Sequence, residues 1–283
     1  LNYTGALNYR VTNTFQAYAR YTNGQKAPDF GGISAINTAT QIALNFPEPQ
    51  RIQQVELGLK YNRKGISLQA FPFYSKLSNV GSTSIFIDDA GIAYSPPALF
   101  ARTETYGVEL QANARFNRYF NLDAAVTIQD PQSKGYRTYV PNAPTRADDS
   151  IVAIPDGDAE NNPKLIVRTT GTYTPVESVQ IFGTYSYLGK RAANQANAWY
   201  LPGFSTVDLG ASWNINDRFK IQFNVNNVLN NDGVYSWARS GGLLTSLQRQ
   251  TLTKADIATD PNQLFYVIPQ QPRSFFLVGS VKF

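Results

Sequence analysis

The sequence predicts an all-β fold in which antiparallel strands form the wall of a transmembrane β-barrel. Three observations carry that prediction. Apolar and polar residues alternate along eleven separate runs, the period-two pattern of strands with one apolar and one polar face. Short and long connections take turns between those runs, as in an outer-membrane barrel with tight turns at one end and long loops at the other. Pro163, Pro202 and Pro272 each open a run after a long connection, where no ladder donor is needed.

In chain order the runs cover 1–11, 15–22, 53–62, 66–79, 101–116, 120–129, 163–174, 178–188, 202–215, 218–230 and 272–283. The first alternates Leu1, Tyr3, Gly5, Leu7 and Tyr9 with polar residues, so the chain is expected to open inside a strand of a longer wall. The second returns with Phe15, Ala17, Ala19 and Tyr21 on one face. The third sets Val55, Leu57, Leu59 and Tyr61 against Gln54, Glu56, Gly58 and Lys60, and the fourth keeps Ile66, Leu68, Ala70 and Tyr74 together. The fifth and sixth oppose Leu110 and Val126 to Gln111 and Thr127. The seventh and eighth pair across Pro175-Val176-Glu177. Leu209, Trp213, Phe223 and Val225 define the apolar face of the clearest hairpin, with Asp208 and Asn224 on the other. The last run, PRSFFLVGSVKF, ends on an aromatic suited to an interfacial girdle. Pro72 alone falls inside a run, where it predicts a bulge or an end of pairing. The stretch 84–87 is a candidate extension beyond the membrane. The long segments are 23–52, 80–100, 130–162 and 231–271, with a shorter loop at 189–201.

Composition excludes more than it assigns. Charged residues make up 16% of the chain, below the quarter usual in soluble domains, while aromatics reach 13%. No apolar run reaches the length of a membrane helix. The chain has no Cys and no His, so it lacks a disulfide, a thiolate metal site and the commonest general base; no GxSxG element stands in. The expectation is therefore no enzyme, no cofactor and no metal site. The formal net charge of +5 is not clustered in sequence and gives no nucleic-acid signal. A soluble sandwich or propeller would also alternate, but it does not predict loops long at one end only. Only a closed sheet satisfies every backbone group in lipid, and eleven antiparallel strands cannot close on themselves. Further strands are expected upstream, and the two edge runs are expected not to pair with each other.

The ordered set NYRVTNTFQAYARYTNGQKAPDF, QQVELGLKYNRKGISLQAFPFYSKLSNV, ARTETYGVELQANARF, LPGFSTVDLGASWNINDRFKIQFNVNNVLNNDGVYS and PRSFFLVGSVKF resembles the C-terminal half of a TonB-dependent outer-membrane receptor barrel. The family's terminal strand carries a glycine near the position of Val278; here Gly279 stands one place later. The resemblance implies that residues 1–283 are the last half of a plugged barrel of about 22 strands, with the plug, the first strands and the TonB contact box outside this sequence. It implies a Gram-negative outer-membrane location and active, TonB-energised uptake of a scarce ligand: a siderophore–metal chelate, a vitamin or an oligosaccharide. The implied partners are outer-membrane lipid and lipopolysaccharide, the protein's own plug, and TonB through the missing part. A passive porin-like channel is the alternative, to be separated by whether a plug and TonB box lie upstream.

Alternation places Glu56, Lys60, Glu109, Arg115, Asp123, Arg168, Asp208 and Lys220 on the lumen side. Plug contact and pairing along the wall are the favoured roles there, ahead of direct ligand contact. Trp199, Tyr200, Tyr235, Trp237 and Arg239 stand in loops just above strands; aromatics and Arg dominate binding hot spots, which makes them ligand candidates, and the outer aromatic girdle or loop packing is the equal alternative. Asp148, Asp149, Asp156, Asp158 and Glu160 cluster in one loop; their spacing fits no calcium loop and predicts a solvated acidic stretch.

Overall fold

The computed structural model describes residues 1–27, 48–82, 86–87, 90–94, 99–140, 150–238, 252–262 and 266–282. Strand β1 (Tyr3–Arg10) turns into β2 (Phe15–Lys26), and β3 (Gln50–Arg63) into β4 (Ile66–Ser82). Two short strands, β5 (Phe86–Ile87) and β6 (Ala93–Tyr94), pair only with each other before β7 (Leu99–Arg115) and β8 (Phe120–Lys134). A small hairpin of β9 (Arg137–Val140) and β10 (Ser150–Ala153) leads to β11 (Gly157–Asp158), which pairs with the end of β8. Next come β12 (Leu165–Val176) and β13 (Val179–Leu188), then the short pair β14 (Arg191–Ala192) and β15 (Tyr200–Leu201). The chain closes with β16 (Phe204–Asn214), β17 (Phe219–Asn226), β18 (Val234–Ala238), helix α1 (Lys254–Thr259), β19 (Tyr266–Pro269) and β20 (Ser274–Val281).

Eleven strands run side by side in the order β1-β2-β3-β4-β7-β8-β12-β13-β16-β17-β20, with β11 added against β8. They correspond one for one to the eleven alternating runs, and every strand ladder is antiparallel. The edges β1 and β20 do not pair with each other. Three tight turns share one device. Thr12 Oγ1 accepts from the N–H of Thr14 and Phe15; Asn117 Oδ1 accepts from Tyr119 and Phe120; Asn216 Oδ1 accepts from Arg218 and Phe219. Each side chain mimics a backbone turn and so fixes the hairpin register.

The strand ends differ from the alternation chiefly at the loop end, in both directions. β2, β3, β4 and β8 all run further at the loop end, β8 as far as Lys134. Beyond the membrane neither face need be apolar, so the ladder continues where the pattern stops. Pro163, Pro202 and Pro272 stand two residues before their strands rather than opening them. β17 ends at Asn226 because Asn227 takes a left-handed conformation, with φ 48°. Pro72 marks no bulge. The ladder to β3 lapses opposite it, at Leu57 and Gly58, and resumes in the same register, while the ladder to β7 continues through Pro72 and Val108. The register shift on β4 falls instead between Leu77 and Val80, where Asn79 has φ 59°. Pro175 lies at a second shift, between Tyr173 and Val176 on β12. Of the stretch 84–87, Phe86 and Ile87 belong to the separate small sheet, and 84 and 85 lie outside the described residues, as does Phe283.

Adjacent rows across the sheet show the two faces. One row reads Ala17, Leu59, Ala70, Leu110, Val126, Val167. The next reads Gln16, Lys60, Gln69, Gln111, Ala125, Arg168, Ser186, Thr206. Leu209, Phe223 and Val225 share the apolar face, where the Phe223 and Phe275 rings stack at 6.4 Å. Asp208, Asn224 and Thr127 share the polar face. Leu59 and Leu110 remain 44% and 40% exposed, as lipid-facing side chains must be in the chain alone. Aromatics bracket that face: Tyr9, Phe116, Phe120, Tyr173, Trp213 and Phe219 near the turns, and Tyr3, Tyr21, Tyr74, Tyr106 and Tyr185 near the loops. Ten residues separate Tyr106 from Phe116 on β7 and its turn; at about 3.3 Å per residue and a tilt of about 40°, the band is about 25 Å tall.

Leu110 lies in the middle of that band, and Gln111 faces the other way. Leu110→Arg in the bilayer-inserted protein should cost about 2–4 kcal/mol in denaturant unfolding, whereas Gln111→Arg should cost far less. Equal costs would show that the two faces are misassigned.

Candidate functional site

The loop end of the wall is tied together by polar side chains drawn from separate loops. Asp130 sits where β8 leaves the aromatic band, and Asp158 is brought against it by the β11–β8 ladder, opposite Gln132. Lys164, just before β12, reaches both carboxylates at 2.8 Å. Gln132 Nε2 donates to both at 2.9 Å, Tyr106 donates to Asp130 at 2.8 Å, and Tyr200 donates to Asp158 at 3.1 Å. Asn197 brackets the same residue through the backbone, accepting from the Asp158 N–H at 2.7 Å and donating to its carbonyl at 2.8 Å. The Lys190 ammonium lies 4.6 Å from the centre of the Tyr200 ring. Two carboxylates flanking one ammonium push the Lys164 pKa above its ordinary value, Asp130 more than Asp158. Lys164 and then Tyr106 hold Asp130 below the usual carboxylate range. Burial works to raise Asp158, but Lys164, Gln132 and Tyr200 outweigh it and the net shift is downward.

A second knot begins one residue away, on β14. Arg191 is buried at 3% exposure and, among the described residues, pairs with no carboxylate. Its guanidinium donates to the carbonyls of Val234, Tyr235 (2.5 Å) and Gly189 (3.4 Å) and lies over the Phe204 ring. Burial lowers its pKa. The Tyr235 ring meets Phe204 edge-on at 5.1 Å. Asn194 extends the tie to the Leu252 carbonyl at 2.7 Å. A third knot centres on Asn227, 1% exposed, which donates to Asn231 and Gln271 carbonyls, accepts from the Asn231 N–H, and gives its own N–H to Asp208. Among the described residues no three acids come together as a metal site.

The residues picked out by sequence divide among these knots. Tyr200 belongs to the Asp158 knot and Tyr235 to the Arg191 knot, and both help hold loops together. The Trp199 carbonyl accepts from the Ala193 N–H at 3.1 Å across the β14–β15 turn. Trp237 lies in β18 opposite Val267; its side chain and Arg239 fall outside the described residues, with Asp148 and Asp149. The acidic loop is not simply solvated: Asp158 is paired, Asp156 accepts from the Gly135 N–H at 2.9 Å, and Glu160 bridges to Ala192. Sequence missed Lys164, Arg191 and Asn197, since nothing local shows which loop a side chain will tie.

All eight charged wall candidates fall on the polar face. Glu56 accepts from Arg20 at 2.7 Å and from the Tyr18 hydroxyl; Lys60 lies over the Tyr18 and Phe71 rings. Asp123 accepts from Asn113, and Asp123, Arg168 and Gln111 line a cavity of about 250 Å³. Glu109 stands between Phe71 and Thr127, Arg115 beside Asn121, and Lys220 between Asn214 and Ser280. Asp208 serves the Asn227 knot.

Comparison with known proteins places this architecture. Residues 1–228 match the family described as TonB dependent receptor-like, beta-barrel. The chain is 22% identical over 222 residues to the pesticin receptor of Yersinia enterocolitica, covering 78% of this chain and 30% of that one. It also resembles the siderophore receptor PiuA from Acinetobacter baumannii (TM-score 0.67, 16% identity, 99% of this chain and 35% of that chain). The closed ferric-catecholate import receptor Fiu of E. coli K12 is similar at TM-score 0.64 and 16% identity, over 98% of this chain and 34% of that chain. The chain thus spans about a third of the length of these relatives.

Two predictions follow from the knots. Arg191→Lys puts its donors on a single nitrogen and loses the planar fork whose Nε, Nη1 and Nη2 reach the Tyr235, Gly189 and Val234 carbonyls separately, and each buried carbonyl left unserved costs about 1–3 kcal/mol. Amide exchange in 234–238 and 266–269 should accelerate, with the wall unchanged. The Asp158 knot should respond to pH with a defined sign. The depressed carboxyls contribute above the ordinary aspartate pKa of about 3.9 and lose their contribution as pH falls through the folded values. The raised Lys164 contributes below about 10.4 and loses its contribution only above its own elevated value. Amide protection at 157–160 should therefore hold from about pH 4 to 10 and fail below, and Lys164→Met should lower it throughout.

Proposed function

As this chain belongs to the TonB-dependent receptor-like β-barrel family, we propose that its eleven wall strands form the last half of a larger plugged barrel that imports a ferric chelate across the Gram-negative outer membrane. The observation that carries the reading is the family match over 1–228 on an open sheet of eleven wall strands with one lipid-suited face. Strands β1 and β20 leave backbone groups unpaired at both edges, a state that hydrocarbon does not tolerate, so partner strands complete the wall. The two similar solved structures, PiuA and Fiu, are named for a siderophore and a ferric catecholate, which supports an iron chelate ahead of a vitamin or oligosaccharide.

In this reading the ligand is captured at the loop end, above the knots that set the loop bases. The polar face, lined with Asn, Gln, Thr and charged residues, offers donors and acceptors to a plug domain. A plugged lumen passes no large solute by diffusion, so release inward requires the plug to move, driven through TonB. No catalytic step is assigned.

The complete receptor in cells, offered radio-iron-loaded catecholate and phenolate siderophores with and without an uncoupler, tests this. Binding should survive collapse of the proton-motive force while uptake stops. Uptake that continues and never saturates would establish a passive channel instead.

A further inference from the structure

The chain's formal charge looks scattered in sequence but is gathered in space at the turn end. Arg63 and Lys64 lie at one turn, Arg118 at the next, and Arg218 at the β16–β17 turn. Arg10, Arg115, Lys220 and Lys282 stand at the same level on the polar face. Against these eight cations the described residues of the turn end hold two side-chain carboxylates, Glu177 and Asp217. All eight cations are exposed, and among the described residues none makes an ion pair. At the loop end Arg102, Lys134 and Lys164 are paired with Glu104, Asp130 or Asp158, while among the described residues Arg51, Lys76, Arg137 and Lys190 make no ion pair.

Arg63, Lys64, Arg118 and Arg218 stand in or beside the turns themselves, beyond the turn-side aromatic band. Tyr61 precedes Arg63; Phe116, Tyr119 and Phe120 surround Arg118, whose guanidinium lies 4.5 Å from the Tyr119 ring centre; Phe219 follows Arg218. Aromatics of this kind mark the headgroup level, and a cation one or two residues beyond them meets lipid phosphate. We propose that Arg63, Lys64, Arg118 and Arg218 form a basic ring that selects anionic phospholipid headgroups in the leaflet facing the turns. The ring spans three separate turns at one depth, the arrangement of a surface that meets a plane, whereas a soluble partner would meet a local patch. The inference rests on the membrane placement in the proposed function and is independent of what the receptor imports.

Trp213 supplies the probe. It is 52% exposed on the apolar face, in the band just above Arg218. The complete receptor is reconstituted in mixtures of phosphatidylcholine with brominated phosphatidylglycerol or brominated phosphatidylcholine, and the Trp213 share of quenching is isolated by difference with Trp213→Phe. Brominated phosphatidylglycerol should quench about fivefold more effectively at low salt, the scale of one cation at an anionic surface, and the advantage should shrink in high salt. The variant carrying Arg63→Gln, Lys64→Gln, Arg118→Gln and Arg218→Gln should lose the preference, while Arg102→Gln with Lys134→Gln should keep it. Heat-modifiable gel migration checks that each variant is folded. Equal quenching by both lipids in the unaltered receptor would overturn the proposal and leave the cations to a soluble anionic partner. No quenching by either lipid would overturn it together with the placement of the band. Iron uptake reports on the proposed function separately.

Discussion

Hydrocarbon offers the backbone no water, so each N–H and C=O of the wall must find its partner on a neighbouring strand. That single demand organises the molecule. It keeps ten consecutive ladders in one sheet and confines register shifts to the ends of strands, at Asn79 near the loops and Pro175 near a turn. It also explains how Pro72 is tolerated within the band. The missing donor costs pairing on one side only, at Leu57 and Gly58, while the β7 ladder and the overall register are kept. A bulge there would have turned every residue beyond it to the wrong face.

With the register fixed, side chains decide what each face can do. The apolar face needs only bulk, and Leu, Val, Ile and Phe supply it. The polar face carries rings as well, and it accommodates them flat. A Cβ on Gly58 would lie 1.9 Å from the Tyr18 ring, and one on Gly210 would lie 2.3 Å from the Phe182 ring, so each glycine is the space its cross-strand aromatic occupies. Tyr18 laid down in this way brings its hydroxyl to Glu56 and its face to Lys60. Glu56 and Lys60 are thereby held against the wall by local partners, and much of the remaining surface is amide and hydroxyl, groups that can both donate and accept.

The sequence made the wall legible because period two is written into each strand by the membrane itself. Leu110 against Gln111, and Val225 against Asn224, needed no knowledge of neighbours. The strands' loop ends were not legible: once β8 leaves the band at Asp130, the membrane no longer dictates which residues are apolar, and Pro131 to Lys134 read as loop although they continue the ladder. The loop knots were hidden for another reason. Lys164 meets Asp130 and Asp158 from elsewhere in the chain, and Arg191 satisfies itself on carbonyls of a segment more than forty residues on. A carbonyl acceptor leaves no mark in the sequence, because every residue has one. Tyr200 and Tyr235 were singled out as aromatics, but their observed partners are other loops.

The same reasoning accounts for the contrast between the two ends. A long connection presents a defined surface only when its base is fixed. Several loop-end side chains are used in this way: Lys164 spans two strands, Tyr200 and Asn197 bring in the 189–201 loop, and Arg191 and Asn194 fasten that loop to the last one. Because Asn227 further joins the tops of β16, β17 and the approach to β20, the bases of these loops are connected by continuous hydrogen bonding rather than standing as separate stalks. The turns need no such ties. Thr12, Asn117 and Asn216 close them locally, so nearby cations are not needed for loop-to-loop links and remain available for whatever the turn end faces.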